Sequence, residues 1–314
     1  MGGIPIKKTW VLGTRGSDLA LAQARWVSDR IIKRHEGVKV ETVVVKTRGD
    51  FMQDVSLAKI GGKGVFVKEI EEALLRGEID FAVHSMKDVP VEIPEGLEIA
   101  VLPEREDPRD VLVSREKQKI EELRKGARIG TGSLRRASQL RNLLPDIEIV
   151  PLRGNLETRL RKIDTEDLDG VVVAAAGIRR MGWVHRVSQF IPVEVMLPSI
   201  GQGALGIEIR QDDKDLRRAL SFLSHETTEI EVAAERAFLG RLGGGCQLPV
   251  AAFGKRIGND LLLRAMAGSI DGFVLIRDEM KGAVDDITSL GVELAERILS
   301  RGGQALLDQV YSRS

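Results

Sequence analysis

The sequence predicts an α/β protein, two similar α/β domains followed by a small α+β domain, and three observations carry that reading. Short apolar runs of strand character alternate with apolar residues spaced by three or four as far as Ala175. A strand, a Gly-Thr pair and a helix open the pattern twice, at Gly13-Thr14-Arg15-Gly16-Ser17 and at Gly130-Thr131-Gly132-Ser133. The 314 residues also exceed what one hydrophobic core usually organises.

Taken in order, Trp10 to Leu12 reads as a strand, and Ala20, Ala24, Val27 and Ile31 mark the helix after it. Val38 to Val45 is the next strand. Phe66, Ile70, Ala73 and Leu74 line a second helix, followed by strands at Ile79 to Val83 and Leu97 to Leu102. Strands separated by helices imply a mainly parallel sheet. The polar run from Pro103 to Asp110 reads as a crossover. Beyond it Ala127 to Ile129 is strand-like, and Ala137, Leu140 and Leu144 share a helix face. Ile147 to Val150, a helix after Asn155 and the strand Val171 to Ala175 complete the second unit.

Pro198 to Gly203 reads as the return crossover. A helix from Glu226 to Leu239 leads into a glycine-rich loop holding Cys246. Strands at Leu261 to Ala267 and Phe273 to Glu279 flank an Asp271-Gly272 turn, and a helix runs from about Asp286 to Leu299. The expected domains are 1–103 with 200–222, 104–199, and 223–314. Two similar α/β domains joined by crossovers suggest a cleft, with ligands beyond the carboxyl ends of the strands.

Composition excludes several classes. Lys+Arg and Asp+Glu both number 47, which argues against a dedicated nucleic-acid binder. A single cysteine excludes an intrachain disulfide and a Cys-rich zinc site, and the four histidines show no ligand spacing, so no metal is expected. No run approaches a membrane span and residues 1–8 carry no apolar h-region, so a cytoplasmic protein without membrane contact is expected.

Two glycine motifs mislead. Gly201-Gln-Gly-Ala-Leu-Gly206 fits a dinucleotide fingerprint by letter, but a strand, Ile207 to Arg210, follows it where a helix is required. Its glycines suit a bend. Gly61-Gly62-Lys63-Gly64 lacks the hydroxyl residue of a P-loop and reads as a surface loop or as a mobile loop offering Lys63 to an anion. Residues from about Lys46 to Gly64 are expected to form a mobile lid.

The arginines say more. Arg15, Arg135 and Arg136 stand at helix starts, where a cation opposes the helix dipole, so helix stability does not account for them. Helix N-termini bind anions, and arginines add bidentate carboxylate recognition. Arg153, Arg159, Arg179 and Arg180 recur after other strands, which favours an acidic ligand. Asp88, in His84-Ser-Met-Lys-Asp-Val-Pro90, suits either acid–base work or a turn cap. Cys246 lies in a glycine-rich loop, an unusual place for a core residue, which makes thiol chemistry plausible.

Several motifs, in order along nearly the whole chain, resemble the porphobilinogen deaminases. They are Gly13-Thr14-Arg15, Thr47-Arg-Gly-Asp50, Gly61 to Gly64 with Phe66-Val-Lys-Glu69, His84 to Pro90, Glu104 to Asp110, Ser133-Leu-Arg-Arg136, Leu152-Arg-Gly-Asn155, Gly201 to Ala204 and Gly245-Cys-Gln247. One departure is Gly132, where many relatives carry serine.

The resemblance implies two periplasmic-binding-protein-like α/β domains and a third that carries a cofactor cysteine. It implies a transferase of tetrapyrrole (haem) biosynthesis that joins four porphobilinogens head to tail, releases ammonia at each step and frees hydroxymethylbilane. The implied cofactor is a dipyrromethane on Cys246, held by Lys87, Thr131, Ser133, Arg135, Arg136 and Arg153. Substrate contacts fall on Arg15, Ser17, Lys63, Arg159, Arg180 and Gln202, and Asp88 is the implied catalytic carboxylate. Porphobilinogen is then the small-molecule partner, with no nucleic acid, and a monomer is expected. Rival readings are a binding protein for acidic solutes, a cysteine hydrolase using Cys246 with His84 or His225, and a nucleic-acid binder. The last is weakest, given neutral net charge and 4% aromatic residues.

Overall fold

The structure, a computed structural model, describes residues 7–47, 67–243 and 248–311. Lys63, Cys246 and all but the first two residues of the expected lid lie outside the described residues. The chain forms two compact units. Within the described residues, one comprises 7–47, 67–105 and 204–229, the other 106–203 and 230–311.

The first unit is built on strands β1 (Thr9–Thr14), β2 (Lys39–Val44), β3 (Phe81–Ser85), β4 (Leu97–Val101) and β10 (Leu205–Arg210), in the order β2-β1-β3-β10-β4. β1 pairs parallel with β2 and β3, whereas β10 runs antiparallel to β3 and β4. Helix α1 (Asp18–Arg34) starts at Ser17, whose Oγ accepts from the Ala20 N–H at 3.3 Å. Asp18 in its first turn and Lys33 and Arg34 in its last complement the helix dipole. Its Ala24, Val27 and Ile31 are buried against Trp10, Leu12, Phe81, Val83, Ile207 and Ile209. Each large side chain buried there contributes roughly 1.5–3 kcal/mol. The other sheet face is covered by α2 (Lys68–Leu75), through Ile70, Ala73 and Leu74 against Ile79, Ala82 and Leu97.

The second unit repeats this plan with β5 (Asp110–Ser114), β6 (Arg128–Gly130), β7 (Glu148–Val150), β8 (Gly170–Ala174) and β9 (Gln189–Ile191), ordered β7-β6-β8-β5-β9. β6 pairs parallel with β7 and β8, and β5 runs antiparallel to β8 and β9. Each sheet thus places one reversed strand fourth. That strand is the last of the first sheet and the first of the second, the chain exchange of periplasmic-binding-protein-like folds, and the fold class read from the sequence is the one observed. Alternation along β5 sends Val111 and Val113 to one core and Leu112 to the other. Helix α3 (Leu134–Leu143) covers the Leu112 face through Leu140. Helices α4 (Leu156–Thr165) and α5 (Ala175–Arg180) cover the opposite face through Leu160, Ile163 and Ile178.

The second unit also holds a three-stranded antiparallel sheet, β11 (Val250–Ile257), β12 (Asp260–Gly268) and β13 (Leu275–Ala283). Helix α8 (Ile287–Ile298) buries Leu290, Leu294, Ala295 and Ile298; α9 (Gln304–Tyr311) also lies in this unit, whereas α6 (Lys214–Leu220) belongs to the first and α7 (Glu226–Arg241) begins there. The expected strand from Phe273 begins instead at Leu275. Ser269 N–H donates to Val274 O at 2.8 Å, so the turn takes up Phe273, which is 83% exposed. The bend read into Gly201–Gly203 is present. Both glycines have positive φ, and a Cβ on Gly203 would stand 2.2 Å from the Glu106 carbonyl oxygen.

Candidate active site

In the first unit, β1 and β3 are parallel neighbours, so the loops after both lie at one edge of the sheet. Thr14 ends β1 fully buried, and Arg15 and Ser17 follow, both half-buried. β3 ends at Ser85 and runs into a tight turn over Met86–Asp88. Met86 and Val89 are buried and anchor the turn, and Met86 N–H donates to Ala204 O at 3.0 Å. Lys87 and Asp88 between these anchors are half-buried. Among the described residues the Asp88 carboxylate has no hydrogen bond or ion pair. Its turn is held by the backbone, and the side chain does not serve as a turn cap.

In the second unit the carboxyl ends of β6, β7 and β8 share an edge with the start of β5, where Asp110 pairs with Ala174. Asp110 is fully buried and sits between two buried arginines. Arg135 Nη1 donates to its Oδ2 at 2.7 Å. Arg136 donates to Oδ1 through Nη2 at 2.8 Å and Nε at 3.0 Å. Burial alone would raise the Asp110 pKa. The charges of Arg135 and Arg136 and their hydrogen bonds outweigh it and hold the carboxyl well below the usual carboxylate range.

One carboxylate therefore faces two guanidinium groups at the start of α3, a surplus of positive charge. Arg135 Nη1 also donates to Leu197 O at 2.6 Å and Arg136 Nη1 to Val172 O at 3.2 Å. Arg135 Nε, by contrast, is buried with no hydrogen-bond partner among the described residues. A buried charged donor left in this state is costly unless a ligand accepts from it.

The remaining expected residues divide. Thr131 is buried, its Oγ1 accepts from Ser133 N–H at 3.2 Å, and Ser133 caps α3 by accepting from Arg136 N–H at 3.4 Å. Arg153 is half-buried, with no hydrogen bond or ion pair among the described residues. Arg159 Nε donates to Gly154 O at 2.9 Å, bracing the loop that carries Arg153. Arg180 donates to Gly203 O at 2.7 Å, and burial lowers its pKa to about 10 against the opposing charge of Glu106.

Gln202 is 1% exposed and donates to Pro108 O at 2.7 Å and Asp110 Oδ1 at 2.9 Å. It braces the crossovers and the Asp110 network. Sequence reasoning missed Asp110 itself, whose signal was an acidic residue opening the apolar strand Val111–Val113. Arg179, seen as one of several cations, is committed to Asp107 at 3.3 Å. The histidines of the hydrolase reading are engaged elsewhere, His84 with Glu208 at 3.0 Å and His225 with Thr228 at 2.9 Å.

These features define an α/β protein whose strand ends carry, among the described residues, two arginines on one buried carboxylate and one half-buried carboxylate without a partner. Residues 10–218 match the family model described as porphobilinogen deaminase, dipyromethane cofactor binding domain, and 229–300 match the porphobilinogen deaminase C-terminal domain. The porphobilinogen deaminase of Syntrophus aciditrophicus is 58% identical over 95% of this chain and 98% of its own length. That of Pelobacter propionicus is 53% identical over 96% and 97%. Among solved structures, the periplasmic VFT2 domain of Bordetella pertussis BvgS aligns with a TM-score of 0.41 at 14% identity, over 71% of this chain and 91% of that one.

The chain belongs to the porphobilinogen deaminase family and is an enzyme. Its cofactor-binding domain fits a group bearing several carboxylates, because Arg135 Nε and Arg153 have donors to give. Among the described residues no group of histidine, cysteine and acidic side chains is arranged to hold a metal, and no helix is long and apolar enough to cross a membrane.

Proposed function

We propose that this chain is a transferase that condenses four porphobilinogens head to tail on a dipyrromethane attached to Cys246, releasing one ammonia per ring, after which water cleaves the chain off as hydroxymethylbilane. The observation that carries it is the surplus charge at Asp110, two buried arginines on one carboxylate, with Arg135 Nε still to be satisfied. Each pyrrole ring brings an acetate and a propionate arm, so the ligand supplies the anions this edge lacks. Arg135, Arg136, Arg153, Ser133, Thr131 and Lys87 would hold the cofactor. Arg15, Ser17, Lys63, Arg159, Arg180 and Gln202 belong to the substrate side, Gln202 and Arg180 by bracing the loops. When bound, the dipyrromethane supplies the nucleophilic pyrrole carbon to which the first ring is added.

Asp88 does the remaining chemistry. Loss of ammonia from porphobilinogen leaves a cation delocalised over the pyrrole nitrogen, and a carboxylate at that nitrogen lowers its energy. Asp88 has both oxygens available and a fixed backbone, so the stabilising charge is in place before the reaction begins. The same carboxylate can take the proton lost when the new carbon–carbon bond rearomatises the attacked ring.

The test is the intact mass of denatured protein beside Cys246→Ser. A mass above the sequence value by two linked pyrrole units, absent from the variant, is expected. A bare mass that persists after incubation with porphobilinogen, with no ammonia released, would overturn the proposal.

A further inference from the structure

The face of the first sheet beneath α2 carries a polar cluster inside an apolar layer. Alternation sends Val83, Ile207 and Ile209 toward α1, so Ala82, His84 and Glu208 face α2. In the β3–β10 register, His84 opposes Gly206 and Glu208 opposes Ala82, which places the two side chains diagonally across the pair. His84 Nε2 meets Glu208 Oε2 at 3.0 Å, with the side chains 4% and 1% exposed. The second oxygen of Glu208, Oε1, is buried with no hydrogen-bond partner among the described residues. Glu71 is buried on α2, the helix packed against both β3 and β10.

We propose that Glu71, Glu208 and His84 are positioning residues for Asp88, a buried cluster in which Glu71 keeps a proton and presents it to the unsatisfied oxygen of Glu208. The inference rests on the role proposed for Asp88. Glu71 and Glu208 are both buried on elements packed together, and two bare carboxylates there would repel each other. A proton on Glu71 removes that repulsion and gives Glu208 Oε1 a donor. The surroundings agree. Burial first, then the charge of Glu208, raise the Glu71 pKa to about 7, with Glu72 adding and His84 opposing.

No lysine or arginine acts on Glu71 among the described residues. On the strands beneath α2, Arg210 is committed to the carbonyls of Leu74 and Ile79 at 2.9 and 2.8 Å, and Glu98 is paired with Arg217. Asp80, just before β3, is paired with Lys7 at 2.7 Å. His84 is followed at once by Ser85, which accepts from Gln23 Nε2 at 3.0 Å, and then by the turn bearing Asp88. The His84–Glu208 bond therefore fixes the root of that turn to β10.

Infrared spectra of the holoenzyme, wild type and Glu71→Gln, test the proton. Below about pH 6 the wild type should show a neutral carboxylic-acid band that fades as pH rises through about 7 and is missing from the variant. A wild type without that band, or a variant that keeps it, would overturn the cluster. Kinetics test the positioning. Glu71→Gln retains a donor of the same shape and should keep kcat within about twofold, whereas Glu71→Leu leaves Glu208 Oε1 orphaned and should lower kcat about tenfold or more with KM unchanged. Equal kcat in all three proteins, or equal losses in the two variants, would also overturn it. The spectra do not depend on turnover, so normal turnover in Asp88→Asn would end the Asp88 reading and leave the proton assignment standing.

Discussion

Gln202 donates a 2.9 Å hydrogen bond to Asp110 Oδ1, the oxygen that also receives both bonds from Arg136. The glutamine thus completes a carboxylate already shared by two guanidinium groups. Remove the carboxylate charge and both arginines remain buried with no other ion pair among the described residues. Asp110→Asn should therefore lose about 3–5 kcal/mol of stability, the range for breaking a buried charge pair, measured by urea unfolding. Loss of under about 1 kcal/mol would show that the arginines find other anions.

Acid should act on the same group. The folded-state pKa of Asp110 lies below its unfolded value of 3.8, so its stabilisation is full above that value and is lost as pH falls below it. Glu71 has the opposite sign. Its folded pKa, about 7, lies above its ordinary 4.5, so its stabilisation is full below 4.5 and is lost as pH rises toward 7. Melting temperatures against pH should show Asp110→Asn flattening the acid limb and Glu71→Gln flattening the decline toward neutrality. A Glu71→Gln curve parallel to wild type would contradict the second half.

Asp88→Asn separates chemistry from stability. The side chain has no partner among the described residues, so the amide should leave unfolding within about 0.5 kcal/mol of wild type. Ammonia release should fall by at least about 100-fold, as for loss of a group handling charge and protons at the reacting centre. Near-normal release from purified variant would remove Asp88 from the mechanism.

How much of this was legible in the sequence depends on what covers each strand. The short run Val111 to Val113 escaped notice as a strand, and Asp110 before it looks like one more charge of a polar crossover. Only the insertion of β5 between β8 and β9 brings it to Arg135 and Arg136. Glu208 follows the same logic. Ile207 and Ile209 mark a strand, and a lone acid between them suggests a solvated face, yet β10 lies fourth in its sheet with helices on both faces. β11 escaped notice because Gly254-Lys255-Arg256 breaks its alternation. The loops were easier. Ser17, Ser133 and Asn155 announce the helix starts that place Arg15, Arg135 and Arg159, and each serves as the cap its chemistry suggests.

Arg153 differs from Arg135 in having no ion pair among the described residues, so its contribution should appear in binding alone. Arg153→Gln should unfold within about 0.5 kcal/mol of wild type. Porphobilinogen-loaded protein should nevertheless carry its adduct in lower yield or turn over with KM raised about tenfold, since a neutral amide cannot replace a bidentate guanidinium. Unchanged KM and full cofactor occupancy would place Arg153 outside the site.

Gly132 is one position where the family resemblance leads to an expectation of serine, and the fold shows what a glycine permits there. Thr131 N–H donates to Val150 O at 3.0 Å and Leu152 N–H to Thr131 O at 3.2 Å, closing the β6 and β7 loops against each other. A Cβ on Gly132 would stand 2.2 Å from the Leu152 carbonyl oxygen, a backbone atom that cannot swing aside. Gly132→Ala should therefore cost about 1–3 kcal/mol through forced displacement of residues 151–153. Gly132→Ser should cost as much, with its hydroxyl recovering part of the loss only if it reaches a ligand carboxylate. Because Arg153 adjoins Leu152, both variants should also bind the cofactor less well, by intact mass after incubation with porphobilinogen. Unfolding midpoints equal to wild type in both would show that the two loops separate readily and that Gly132 is not what holds them close.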